Sequence, residues 1–285
     1  MTNRKIKLSL KSRSVTEGAG VKLKRAFSYH DPSLDPFLLL DDFHSSNPED
    51  YIRGFPWHPH RGIETITYIL HGNVEHGDSL GNSGIIKSGD VQWMTAGSGI
   101  IHQEMPKTKE NDSLLWGFQL WANLPPSHKM MEPRYRDVLK EDIIEVNEDD
   151  GIKIKIIAGK YKGRKGPVQD IITDPEYLDV EIQPNREFKH LIKKENNVFA
   201  YVFMGEAYFD MDKKELINSE HLVLFREGEE ILVNTNEKPV RFLLISGNPI
   251  REPVAWRGPI VMNTEEELRI AFEEYNNGSF IKYSE

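Results

Sequence analysis

The chain has 285 residues and no cysteine, which excludes disulfides, thiolate metal ligands and a cysteine nucleophile. Its hydrophobic fraction of 38% and aromatic fraction of 10% suit a packed core, and its length admits two domains of ordinary size. A formal charge of −9 argues against broad nucleic-acid binding, no apolar run is long enough to span a membrane, and the N-terminal Met1-Thr-Asn-Arg-Lys-Ile-Lys lacks an apolar signal core, so a cytoplasmic protein is expected, or a nuclear one in a eukaryote.

The first informative stretch lies between Gly54 and Gly99, where Gly62, Gly72, Gly77, Gly81, Gly84, Gly89 and Gly97 interrupt short apolar or alternating runs such as residues 63–70. Strands of that length, broken by Gly, Asn and Asp, predict an antiparallel barrel or sandwich. His71-Gly72-Asn73 reads as a hairpin turn. Pro59 removes one ladder donor, so its strand is expected at a sheet edge or with an irregular start.

Two histidine clusters sit in this region. The first is His58-Pro59-His60, followed by Glu64; the second is His102-Gln103-Glu104. Side chains two apart on a strand share a face, so His58 and His60 converge, as do His102 and Glu104. Three imidazoles and one carboxylate suit a divalent transition metal and leave coordination positions open. If the strand runs on without a bulge, Glu64, Ile66 and Tyr68 continue the His58/His60 face. His71, His76, His128, His190 and His221 stand alone and are expected on the surface or in loops.

Paired prolines in Asn123-Leu-Pro-Pro-Ser-His128 suit a linker. They suggest an N-terminal metal-binding barrel over residues 1–130 and a second barrel over 131–285. In the second half, residues 178–182, 198–203, 222–225, 231–234 and 241–245 read as strands. The basic stretch 160–165 is expected to be a solvated loop. Overlaying 68–72 on 201–205 places His58 and His60 on Leu191 and Lys193. Aligning Gly89-Asp90 with Gly228-Glu229 places His102 and Glu104 on Arg241 and Leu243. The second barrel is therefore expected to lack a metal. Thr264 and Glu267 form a capping box, Leu268, Ala271, Phe272 and Tyr275 an apolar stripe, and Asn276-Asn277-Gly278 a stop, predicting a C-terminal helix.

The run Phe55-Pro-Trp-His-Pro-His-Arg-Gly-Ile-Glu-Thr65 resembles the first motif of the pirins, within the cupin superfamily. The stretch Thr95-Ala-Gly-Ser-Gly-Ile-Ile-His-Gln-Glu-Met-Pro106 resembles their second. Gly247-Asn-Pro-Ile-Arg-Glu-Pro-Val254, with Gly258-Pro and Met262-Asn-Thr264, is similar to their C-terminal segment. The resemblance implies an all-β bicupin, two stacked antiparallel jelly-roll barrels with a C-terminal helix. It also implies one iron held by His58, His60, His102 and Glu104. Copper, manganese or nickel would suit the same donors. In many cupins the glutamate after His-x-His is the ligand, which makes Glu64 the competitor of Glu104. The pirin pattern favours Glu104, with Glu64 nearby in the pocket and Phe55, Trp57 and Met105 as candidate walls.

Pirins resemble quercetin 2,3-dioxygenases in this site. The implied activity is oxidative cleavage of a flavonol's central ring with dioxygen and release of carbon monoxide, with Glu104 as the base that takes the 3-hydroxyl proton. The implied alternative is a non-enzymatic, iron-dependent regulator that binds transcription factors or metabolic enzymes.

Overall fold

A computed structural model describes residues 2–29, 31–108, 112–148 and 151–283. It divides into two compact units, and the division is not the expected one. One unit comprises Ser14–His30, Phe37–Lys140 and Ile250–Glu285; the other comprises Met1–Arg13, Asp31–Pro36 and Glu141–Pro249. The boundary expected near residue 130 falls ten residues later because Arg134–Val138 still pairs with Val91–Thr95. The first residues join the second unit because Ile6–Lys11 pairs with His221–Phe225. The C-terminal helix does not belong with the second unit but with the histidine clusters.

The unit carrying the histidines holds two open antiparallel sheets. The seven-stranded sheet runs, edge to edge, Arg134–Val138, Val91–Thr95, Ile63–His71, Leu115–Asn123, Phe37–Ser45, Val21–Ser28 and Arg13–Glu17. The four-stranded sheet runs Phe55–His60, Ile100–Lys107, Asn73–Asp78 and Ser83–Lys87. Neither ladder closes into a barrel among the described residues, which corrects the expectation of closed barrels. Phe55–His60 is an edge strand, the place in a sheet where a proline such as Pro59 is tolerated. The hairpin expected at His71-Gly72-Asn73 is absent. Asn73–Asp78 pairs with Ile100–Lys107 and Ser83–Lys87, so the bend at Gly72 carries the chain from one sheet to the other.

The break after His60 decides which residues face inward. Gly62 has φ +78, and a Cβ there would lie 1.9 Å from the Val261 carbonyl oxygen, so only glycine fits. The chain changes sheet at this point, and the alternation restarts out of phase. Thr67 meets the side chain of Glu104, whereas Glu64 accepts a hydrogen bond from Thr95 on the neighbouring strand, 2.7 Å away. The condition on which Glu64 would continue the His58/His60 face, an uninterrupted strand, is therefore not met.

The second unit is built on a ten-stranded sheet whose long strand Asn197–Tyr208 pairs with Val240–Gly247 along most of its length. All five strands expected in this half are present, as is the helix Glu265–Asn276 with its capping box in the first unit. Leu268 and Ala271 are buried in the helix stripe; Tyr275 is exposed. Lys160–Tyr161 and Arg164–Lys165 form a short hairpin where a loop was expected. No helix is long and apolar enough to cross a membrane among the described residues.

The alignment of the two halves also needs correcting. Ile100–Lys107 pairs with Phe55–His60; the corresponding partner of Glu187–Leu191 is Glu230–Asn234, not the strand of Arg241 and Leu243. That region is filled by Phe188, Ile231, Val233 and Phe242, all buried in one apolar cluster.

Candidate metal centre

His58 and His102 are direct cross-strand partners, and His60 lies at the end of the same pairing, opposite Ile100. The ring centroids of His58 and His102 are 4.4 Å apart, and those of His60 and His102 are 5.0 Å apart. One donor nitrogen from each of the three falls within 4.8 Å of the others.

Backbone carbonyls fix two of the rings. His58 Nδ1 donates to the Pro56 carbonyl oxygen at 2.9 Å, and His60 Nδ1 donates to that of Pro259 at 3.0 Å. A carbonyl can only accept, so both rings are protonated at Nδ1 and present a lone pair at Nε2. Those two Nε2 atoms are 3.1 Å apart. Two lone pairs at that distance repel unless a cation lies between them. His102 is fully buried, and neither of its ring nitrogens has a hydrogen-bond partner among the described residues. An orphaned buried polar group costs about 1–3 kcal/mol. Burial, reinforced by the neighbouring imidazoles, holds His60 and His102 well below the ordinary histidine range and lowers His58 less, so all three favour the neutral, ligating form. The donor set fits a divalent transition metal ion.

Glu104 is buried beside this set but is not part of it. Its Oε1 accepts from Thr67 Oγ1 at 2.7 Å and its Oε2 from Gln119 Nε2 at 3.0 Å. Glu64 is placed elsewhere. It is 1% exposed, burial pushes its carboxyl up against the opposing Thr95 bond, and it does not line the cavity. Trp57 is 53% exposed, and neither it nor Met105 lines the cavity; Phe55 does.

The cavity opening on the histidines has a volume of about 620 Å³. Its walls include Phe43, Phe55, Leu115, Trp121 and Trp256, and Glu104, Thr67 and Gln119 supply polar groups. At this wall Arg25 forms a two-pronged pair with Asp41, both contacts 2.8 Å, and meets Glu17 at 2.7 Å.

The residues around His58 and His60 are anchored to the end of the chain. Arg61 is buried, donates to Glu274 Oε2 at 2.7 Å and to the Phe280 carbonyl oxygen at 2.8 Å, and lies 4.2 Å over the Phe280 ring. Lys129, also buried, donates to the carbonyl oxygens of Gly62 and Val261 and to Asn123 Oδ1.

Two isolated histidines are not at the surface as expected. His190 is buried, its Nε2 3.3 Å from Glu176. His76 is buried with its ring 5.4 Å from that of His102, stacked on Tyr135 and 3.4 Å from Asp78. The alternating run 73–78 carried the signal for His76: its ladder with Ile100–Lys107 brings Asp78 opposite His102. The phase extended from His60 points Thr67 away from the site, and Gln119 lies on Leu115–Asn123, a strand that carries no motif to set its phase. Trp256 has no local signal, since only tertiary folding brings it to the cavity.

Comparison with known proteins agrees with this geometry. The Pirin family model matches residues 20–122, and the Pirin C-terminal cupin domain model matches residues 177–281. Human Pirin is 39% identical over 280 residues, covering 97% of this chain and 93% of that protein. A Pseudomonas aeruginosa protein provisionally named quercetin 2,3-dioxygenase is 39% identical over 268 residues, covering 92% and 93%. The crystal structure of quercetin 2,3-dioxygenase from Acinetobacter baumannii superposes with a TM-score of 0.90 at 31% identity, over 97% of this chain and 98% of that one. The fold is of the two-domain cupin type, and the chain belongs to the pirin family.

Proposed function

We propose that this protein is a metal-dependent dioxygenase that cleaves flavonols such as quercetin with dioxygen. The observation that carries the reading is the convergence of His58, His60 and His102 at an apolar cavity whose wall holds the Glu104 carboxylate. The metal would be held by the three histidines, with Glu104 as fourth ligand when it turns towards them; iron is our first choice. When bound, a redox-active ion supplies Lewis acidity and electron exchange with dioxygen, which these side chains lack.

The chain's own residues do the rest. A cavity of about 620 Å³ is of the size that encloses a drug-sized molecule. Phe43, Phe55, Trp121 and Trp256 offer flat apolar surfaces to an aromatic substrate and displace water from it. In this reading Glu104 accepts the proton of the substrate's 3-hydroxyl; in support, a carboxylate has lone pairs beyond the two that Thr67 and Gln119 engage.

The test is oxygen uptake with a panel of flavonols, run alongside metal analysis of the same preparations. Uptake should scale with bound metal and be accompanied by carbon monoxide. A metal-replete protein that consumes no oxygen with any flavonol would exclude this reading and leave the metal-dependent regulator, binding a transcription factor or metabolic enzyme, as the better one.

A further inference from the structure

The basic stretch 160–165 forms a hairpin that walls a second cavity, of about 330 Å³, whose lining residues all belong to the second unit. Tyr161 anchors the hairpin. It is buried, its ring lies 5.2 Å from that of His190, and its hydroxyl donates to Glu148 Oε1 at 2.6 Å. Gly159 has φ +83, and a Cβ there would lie 2.6 Å from Glu176 Cγ, so glycine lets the hairpin close against Glu176. Lys160 and Lys165 are direct cross-strand partners, and both line the cavity. Like charges in that relation repel. Lys193, also at the wall, is paired with Asp174, which leaves Lys160 and Lys165 as the cations facing each other.

Two acceptors line the same cavity, Glu176 and Asn196. Glu176 Oε2 accepts from Ser246 Oγ at 3.2 Å, which uses the one proton of that hydroxyl. The edge of the Asn196 amide 3.5 Å from Ser246 Oγ is therefore its NH2. Asn196 is 5% exposed, and its Oδ1 has no hydrogen-bond partner among the described residues, a cost that a donor on a ligand would remove. With Asp170 and Asp174, the lining carries three lysines and three carboxylates, so a ligand with one charge of each sign leaves the balance intact.

We propose that this cavity binds a small zwitterion of the amino-acid type, with its carboxylate between Lys160 and Lys165 and its ammonium on Glu176 and Asn196. The carboxylate relieves the repulsion across the hairpin, and the ammonium supplies the donors that both acceptors call for. The volume is at the small end of ligand sites. The proposal is independent of the metal centre and of the flavonol reading.

The test is isothermal titration calorimetry of the full chain with glycine, β-alanine, 4-aminobutyrate and 6-aminohexanoate, which hold the same two charges at increasing separation. Affinity should peak at one length. Analogues of the best member that lack its amine or its carboxylate should bind at least tenfold more weakly, the range of one hydrogen bond to a charged group. Lys160→Gln and Lys165→Gln, both at exposed positions, should each weaken binding roughly tenfold without lowering the Tm of the unliganded protein, because a like-charge contact is removed. Saturating ligand should raise the Tm of the wild type more than that of either variant. Glu176→Gln should also weaken binding; should it fail to fold, the lysine variants decide. Metal-stripped and metal-loaded protein should bind equally well. The proposal is overturned if no member of the series binds, if the analogue without the amine binds as tightly as the zwitterion, or if both lysine variants bind as the wild type does.

Discussion

His60 Nδ1 lies 3.0 Å from the carbonyl oxygen of Pro259, a residue 199 positions further along the chain. The orientation of one candidate ligand therefore depends on the C-terminal segment of its own unit. Lys129 reinforces this connection, because it holds the carbonyl oxygens of Gly62 and Val261, each two residues from one member of the pair.

Lys129→Met should be destabilising for that reason. Methionine matches the length of the side chain but removes a donor at 2.7–3.0 Å from three acceptors, of which only the Gly62 carbonyl is shown with another, the Leu124 N–H at 3.3 Å. Each orphaned acceptor costs about 1–3 kcal/mol with partial relaxation, so a loss of about 3 kcal/mol in urea denaturation is expected. Metal affinity should fall as well, because the strand end at His60 loosens. A change below about 0.5 kcal/mol, the range of an ordinary surface substitution, would contradict the staple.

Removal of a ligand should separate the two halves of the chain. His58→Ala and His102→Ala each delete one of three converging imidazoles and should abolish most metal binding, measured by metal analysis after dialysis, while circular dichroism stays that of a β protein. Leu191→Ala in the second unit should leave metal content unchanged, and its stability effect should stay within about 0.5 kcal/mol because the side chain is 54% exposed. Equal metal loss in both kinds of variant would mean that the second unit contributes to the site.

How much of this was legible in the sequence depends on how local each feature is. The pairing of His58 with His102 follows from two short motifs on neighbouring strands, and period-2 alternation suffices to read each motif. The helix Glu265–Asn276 was legible because its cap and its stripe are both encoded within twelve residues. The position of Glu64 was not, because the phase of a strand is lost wherever the chain changes sheets, and Gly62 marks such a change without indicating its direction. The burial of His76 depends on a ladder with a strand some thirty residues away. The unit boundaries were misplaced for the same reason: Ile6–Lys11 and the C-terminal helix each pack on partners that no local pattern specifies.

Burial of the imidazoles also predicts a pH dependence for the metal-free protein. The folded-state pKa values of His58, His60 and His102 lie below the ordinary value of about 6.5 that applies to the unfolded chain. Above that pH neither state is protonated, and these groups contribute no slope. As pH falls below it, the unfolded chain takes up protons that the folded chain refuses, so stability declines, by up to about 1.4 kcal/mol per pH unit for each such histidine. Urea denaturation of metal-free protein should therefore give a lower stability at pH 5.5 than at 7.5. The decline should be shallower in His102→Leu, which removes one of the refusing groups while leaving the carboxylates as they were. An identical slope in both proteins would show that His102 is not held neutral.

The activity prediction rests on Glu104 and on the substrate's 3-hydroxyl. If the carboxylate takes that proton, Glu104→Gln should lower kcat for quercetin by more than it weakens quercetin binding, because the amide keeps the shape of the side chain but cannot accept the proton. The expected loss is roughly 10²–10⁴-fold in rate, the range for removing a positioned general base. A flavone without the 3-hydroxyl presents no proton to Glu104 and should not be consumed, although the apolar walls of Phe43, Trp121 and Trp256 should still bind it. Zinc-loaded protein should bind quercetin and keep its fold without oxygen uptake, since zinc has no redox chemistry. Oxygen-electrode traces with the two flavonoids, paired with quercetin binding by fluorescence quenching, separate the two contributions. Equal loss of binding and rate in Glu104→Gln would assign the carboxylate to holding the substrate, and turnover of the flavone would remove the 3-hydroxyl from the mechanism.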